Sequence, residues 1–489
     1  MPERDSGQPS DTVSPKTAVI LIHGMGEQRP MEKIYEFVEA VWSSDSSLVE
    51  PHHGQVYSKP SALNSILDLR RVTTRYWSGD NPRRIDFFEY YWAHLMVGNT
   101  VRSTVSWIMS LFLRRPSSVP SGLRSVWLAG SLLLAAAAAL LVLAGLPEWI
   151  TKNFLAREWI VLLGAVSALA SFAAARWLAP VAGDAARYFS PLPDNVTARE
   201  NIIRGGVELV ENLTRSGSYD RIIVVGHSLG SAIGLDVLNS AYGRISANQW
   251  SDTFANNPQA QDTLKDLDRQ AGLALAEPSP ADEQSASKNF DLGSYRAAQR
   301  RLAKALAVGW EKGNSPWLVS DFVTLGSPLS KANVLIARDE AGLELRIKKR
   351  ELPTCPPMLE AKRPPRFSFR RHGATSVPHH GAVFGSTAWT NIYFPSRLIV
   401  FGDIVSGAVA PLFGKGVRDV RIPFIGFRFR HLDYWRLEPG HVPVWITALR
   451  HALNLRERAD SDLWQDGLPT SSLMPAEATQ QTISSAAKD

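Results

Sequence analysis

Short runs of β-branched and apolar residues recur along the chain. They are TAVILIHG at 17–24, RIIVVGHS at 221–228, WLVSDFVTLGSP at 317–328 and SRLIVFGD at 396–403. Their apolar character is continuous rather than alternating, as expected of strands buried on both faces of a parallel sheet. RIPFIGFRF at 421–429 reads as a final strand, while Tyr295–Val308 and HVPVWITALRHAL at 441–453 read as helices. Strands separated by helix-length stretches predict an α/β fold, a mostly parallel sheet with helices on both faces.

Two segments depart from this pattern. Between Arg124 and Glu148 there are 23 consecutive uncharged residues, and between Glu158 and Arg176 another 17. At 1.5 Å per residue, Trp127 to Trp149 covers roughly 33 Å and Trp159 to Trp177 roughly 27 Å, close to the thickness of a bilayer's hydrocarbon core. Tryptophan at both ends of each segment is the arrangement of an interfacial aromatic belt. The expectation is a transmembrane hairpin over 114–187, with spans at about 126–147 and 159–178. Arg114, Arg115 and Arg124 precede it and Arg176 and Arg187 follow it, so the positive-inside rule puts the α/β core in the cytoplasm. Ser103–Leu113 is too short to span and reads as an interfacial helix.

The remaining organisation follows from composition. Residues 1–15 and 456–489 are polar and read as disordered tails. The α/β core then runs over 16–113 and 188–455, with a polar insertion at 243–316 and a basic one at 338–385. Ten Arg or Lys face five acids within 338–371, almost the whole of the net +6, and a membrane-facing basic patch would use them. The charge is too dispersed for nucleic acid, and no nucleic-acid motif is present. The single Cys355 excludes an internal disulfide and a cysteine-built metal site. The N-terminus lacks the pattern of a cleavable signal peptide.

Chemistry concentrates at Gly226-His227-Ser228-Leu229-Gly230, a G-x-S-x-G motif between a strand and the helical stretch SAIGLDVLNSAY. That context puts Ser228 on a sharp strand-to-helix turn, which Gly226 and Gly230 permit, with its hydroxyl at the sheet edge. The loop after the first strand, His23-Gly24-Met25, provides the second half of an acyl-transfer site. The backbone N–H groups of Met25 and Leu229 are the expected oxyanion donors, with Gly24 keeping the loop tight. A serine nucleophile needs a base and an acid to orient it, in the chain order Ser, acid, His. Asp403 and His431 are the candidates, with Asp419 as rival acid and His441, His379 and His380 as rival bases. His23 and His227 read as structural. No metal-binding spacing occurs, no cofactor is indicated, and Gly24-Met25-Gly26 is not a dinucleotide fingerprint.

Together VILIHGMGEQ, VVGHSLGS, FVTLGSPL, WTNIYFPSRLIVFGDIV and HLDYW resemble the α/β-hydrolase superfamily, specifically its lipase- and esterase-like serine hydrolases. The resemblance covers about 17–455 and departs from the usual pattern in lacking the customary leading hairpin strands. It implies an α/β-hydrolase fold interrupted by two transmembrane helices, with Ser228, Asp403 and His431 as a triad and Met25 and Leu229 as the oxyanion hole. The expected function is membrane-anchored hydrolysis of carboxylic esters through an acyl-enzyme, the bilayer being one partner and a lipid or other apolar ester the substrate. A thioesterase or acyltransferase would use the same residues. The rival readings are a non-catalytic membrane scaffold and a soluble hydrolase whose apolar hairpin is a lid.

Overall fold

The computed structural model describes residues 15–25, 29–48, 56–60, 70–75, 83–96, 184–275, 290–360 and 364–469, apart from short breaks, with a few isolated positions between 116 and 166. The chain has an α/β fold built on an eight-stranded sheet in the order β10-β9-β6-β5-β1-β4-β3-β2. The strands are β1 Lys16–Ile22, β2 Val56–Pro60, β3 Arg70–Thr74, β4 Arg84–Tyr90, β5 Arg221–His227, β6 Val319–Leu325, β9 Ala388–Tyr393 and β10 Arg418–Arg421. From β10 to β4 all neighbours are parallel, and β2 and β3 form an antiparallel hairpin that continues the sheet beyond β4. This hairpin follows β1 in sequence. Two further strands, β7 Ser368–His372 and β8 Thr375–Pro378, pair separately.

Both faces of the sheet are covered, which explains the unbroken apolar runs. Ile20, Ile22, Val224, Phe322 and Trp389 point to one side. There they meet helices α2 Pro193–Arg215, α3 Leu229–Asn248, α4 Pro258–Leu275 and α5 Leu292–Ala307. Val19, Leu21, Val225, Val323 and Ile392 point to the other, against α1 Glu32–Val38 and α6 Val444–Leu453. Each large apolar side chain buried in this way stabilises the fold by about 1.5–3 kcal/mol.

Much of the tryptophan content resides here. Trp92, Trp250, Trp317 and Trp389 are among the largest fully buried side chains. Trp317 and Trp389 donate their indole N–H to Thr387 at 3.0 Å and Thr324 at 3.1 Å.

Several sequence expectations change. The place beside β6 belongs to Ala388–Tyr393; of the run at 396–403, residues 397–400 lie outside the described residues and Gly402 makes an isolated bridge to Phe429. The strand expected at 421–429 lies earlier, at Arg418–Arg421. Its polar sequence had concealed it. The polar insertion at 243–316 supplies core, because Leu264, Leu267, Tyr295 and Leu302 are fully buried or nearly so. The C-terminal tail does not begin at 456. Helix α7, Asp460–Leu463, packs Leu463 into the core and sets Asp460 between Arg296 and Arg418. The apolar spans at 126–147 and 159–178 lie largely outside the described residues, as does Ser103–Leu113 wholly. Among the described residues no helix is long and apolar enough to cross a membrane.

Register decides what meets at the sheet's C-terminal edge. Ile22 stands level with Tyr90 and Gly226, Gly226 with Thr324, and Leu325 with Ile392. The loops after β1, β4, β5 and β6 therefore emerge side by side.

Candidate active site

Ser228 occupies the turn between β5 and α3 with φ 52° and ψ −126°. A non-glycine residue held there costs about 1–3 kcal/mol, so the surroundings must enforce it. They do so with backbone bonds: Ser228 N–H donates to Leu325 O at 2.9 Å, and Ser231 N–H donates to Ser228 O at 2.9 Å. The motif glycines are demanded by close approach. A Cβ on Gly226 would lie 2.6 Å from Gly230 O and Ser231 Cα, and one on Gly230 would collide with the carbonyls of Ile22 and His23. A Cβ on Gly24 would sit 2.9 Å from Ser228 Cβ and from His227 Nδ1. The loop after β1 thus lies against the serine, with Met25 half-buried beside it and Leu229 fully buried as the first residue of α3.

His431 bridges Ser228 and Asp403. Its Nε2 is 2.9 Å from Ser228 Oγ, and its Nδ1 is 2.9 Å from both carboxylate oxygens of Asp403. A carboxylate only accepts, so Nδ1 carries the proton in the neutral ring and Nε2 is left to accept the serine hydroxyl. All three residues are buried, at 1% exposure for Ser228, 5% for His431 and 0% for Asp403. Burial by itself pushes the Asp403 carboxyl upward. The His431 charge and hydrogen bonds from His431, Tyr434 and Ser406 outweigh it and hold the group below the usual carboxylate range. Asp403 therefore stays anionic beside the ring. A hydroxyl, an imidazole and a carboxylate in this order can move the hydroxyl proton to Nε2 and hold the resulting imidazolium.

The rival groups stand elsewhere. Asp419 accepts from Asn391 Nδ2 at 2.7 Å and from the backbone N–H groups of Val409 and Ala410. It caps a turn and has no contact with His431. His441 pairs with Glu438 at 3.1 Å and is half exposed. His379 accepts from Gly381 N–H through Nδ1 and donates to Met358 O at 2.9 Å, and His380 stands beside it. His227 donates from Nε2 to the carbonyl of His431 at 2.9 Å. Burial, reinforced by His431, lowers its pKa to about 3, so it is a neutral clamp on the next ring's backbone. His23 stacks on Trp92 with centroids 5.0 Å apart and donates to Gly24 O at 2.8 Å, and burial lowers its pKa to about 4. Both histidines shape the site.

Sequence reading missed three contributors. The Tyr434 hydroxyl donates to Asp403 Oδ2 at 2.7 Å and lies 3.2 Å from Ser406 Oγ. Its place in HLDYW, three residues beyond His431, was the available signal. Trp92 Nε1 donates to His23 O at 3.0 Å and fixes the loop before Gly24. Glu89 is wholly buried at the end of β4, where its Oε2 accepts from Met31 N–H at 2.6 Å. Burial pushes its pKa up to about 7, against the Met31 hydrogen bond and Lys33.

Among the described residues no group of three or more His, Cys, Asp or Glu is placed to hold a metal ion. No family model matches the chain, and no curated protein or solved structure matches it either.

Proposed function

We propose that this chain is a serine hydrolase of the α/β-hydrolase type, cleaving carboxylic esters through an acyl-enzyme on Ser228. The observation that carries the reading is the continuous hydrogen-bonded path from Ser228 Oγ through His431 to Asp403, with every link at 2.9 Å. The path starts at a strained strand-to-helix turn, where a nucleophile is presented to substrate. The mostly parallel sheet with helices on both faces is compatible with that fold.

In this reading Ser228 Oγ attacks the ester carbonyl carbon as His431 Nε2 takes the hydroxyl proton. The carbonyl oxygen becomes an oxyanion that accepts from the N–H groups of Leu229 and Met25, next to the positive end of the twenty-residue helix α3. The tetrahedral adduct collapses, the C–O bond to the alcohol breaks, and His431 returns the proton to the departing oxygen. Water, deprotonated by the same ring, attacks the acyl-enzyme and releases the acid and free Ser228. Asp403 holds the ring and its positive charge throughout. The apolar segments at 126–147 and 159–178 anchor the hydrolase to a bilayer, its core on the cytoplasmic side, and favour a lipid or other apolar acyl substrate.

Labelling with a fluorophosphonate tests the chemistry. The folded wild type is expected to label and Ser228→Ala is not. Equal labelling of the two, or none of either, overturns the hydrolase reading and leaves a non-catalytic scaffold. Turnover of a thioester with an ester left intact would place the same residues in a thioesterase. Sodium carbonate extraction tests the anchor, since release without detergent removes it.

A further inference from the structure

The strands of the sheet start at an edge opposite Ser228, and a cavity of about 680 Å³ opens there, lined by Arg221, Arg300, Leu318, Val308, Trp310 and Asp460 among others. Arg221 begins β5 and Ser228 follows its end, so seven strand residues, roughly 20 Å, separate this cavity from the serine. It is distinct from the site already described. Its size falls within the range of small-molecule pockets.

Charge at its inner wall is unbalanced. Arg221 pairs with Asp321 at 2.5 Å, Arg300 reaches Asp321 at 3.3 Å and Asp460 at 3.9 Å, and Arg296 and Arg418 both rest on Asp460. Four guanidinium groups thus share two carboxylates, an excess of two positive charges in a mostly buried cluster. The neighbouring acids Asp220 and Glu457 also act on Arg221, but they bring Arg83 and Lys304 with them, so the wider cluster keeps the excess of two. Arg300 is the least well paired. Its side chain is 17% exposed at the cavity, and its Nε has no hydrogen-bond partner among the described residues. Burial, opposed by Asp321 and reinforced by Arg221 and Arg296, lowers its pKa. Excess buried charge of this kind is costly unless a counter-charge supplies the missing partner.

The outer wall is different. Ala307, Val308, Trp310 and Leu318 contribute apolar surface, and Val308 is 68% exposed. A guanidinium at the back of an apolar cleft suits one class of ligand, an acid head that pairs with the cation and a hydrocarbon body that covers the wall. We infer that this cavity is a second binding site, separate from Ser228, for an amphipathic monoanion: a carboxylate carrying an aliphatic chain, its head on Arg300 and its chain along Val308 and Trp310.

Calorimetric titration of the full chain with dodecanoate, kept below its micellar range, tests this directly. Dodecanol serves as the neutral control. Dodecanoate is expected to bind at least about tenfold more tightly than dodecanol, a gap of about 1.4 kcal/mol in binding free energy. Arg300→Met should erase that gap. Val308→Asp, exposed and outside the ion-pair cluster, should weaken dodecanoate by a similar factor while leaving the melting temperature unchanged. It therefore keeps the test decisive if Arg300→Met does not fold. Equal affinity for acid and alcohol, dodecanoate binding unaffected by Val308→Asp, or no binding at all overturns the inference. Ser228→Ala should bind dodecanoate as the wild type does, and loss of binding in that variant would also overturn it by placing the ligand at the serine.

Discussion

The Tyr434 hydroxyl donates to Asp403 Oδ2 at 2.7 Å, while the backbone N–H of Val405 donates to Oδ1 at 2.9 Å. With the Ser406 N–H on Oδ1 at 3.3 Å, three donors besides His431 thus fix the carboxylate's rotation as well as its charge. Burial drives the Tyr434 hydroxyl pKa well upward, with the Asp403 charge adding to it, so the phenol remains a donor. Removing that donor leaves a buried carboxylate oxygen short of a partner. Tyr434→Phe is expected to cost about 1–3 kcal/mol of folding stability. Fluorophosphonate labelling should also slow, and urea unfolding beside labelling kinetics separates the two effects. Unchanged stability and rate would remove Tyr434 from the site.

The choice between the two candidate acids can be made chemically. Asp403→Asn keeps the shape but leaves an amide that cannot balance an imidazolium, and it should lower ester turnover by roughly 10⁴-fold. Asp419→Asn should leave the rate essentially unchanged, because Asp419 serves the backbone of Val409 and Ala410. Rates on a p-nitrophenyl ester report both. The reverse ranking would move the acid to Asp419.

Glu89 makes stability depend on pH in an unusual direction. Its carboxyl is raised from 4.5 to about 7 in the fold, first by burial. The folded state then holds the proton more tightly than the unfolded chain. Its contribution is complete below pH 4.5 and is lost as pH rises towards 7, amounting to roughly 3 kcal/mol. Relative to Glu89→Gln, the wild type should lose that amount between pH 4.5 and 7.5 in chemical denaturation. Parallel curves for the two proteins would exclude Glu89 as the source.

Cys355 is wholly buried, and burial pushes its thiol up to about 12. Thiolate is the reactive form, so iodoacetamide should not label the native protein at pH 8 and should label it once unfolded in urea. Stoichiometric labelling of the folded chain within minutes would contradict the burial.

Residues that act through near neighbours were readable in the chain itself. The strand–turn–helix about Ser228, the loop at His23–Gly24 and the helix near 295–308 follow from runs of apolar residues and well-placed glycines, since those patterns express local backbone geometry. Asp403 and His431 were readable as candidates by chain order alone. What separated them from Asp419 and His441 was a contact across 203 residues from His431 to Ser228, closed only when β5, β6 and β9 align.

Buried polar residues hid the rest. In β4, Asp86 and Glu89 interrupt the apolar run, yet Asp86 is satisfied by Tyr219 at 2.8 Å and by Thr73. In β9, Thr390 and Asn391 look like surface residues but answer Arg296, Thr324 and Asp419. Periodicity records which residues avoid water. It carries no record of which polar groups find partners inside, because those partners come from other strands and helices. The sequence alone therefore determined the class of fold, the serine's turn and a short set of candidate partners. Tertiary structure decided which acid and which histidine meet that serine, because strand register, not local pattern, sets which loops share an edge.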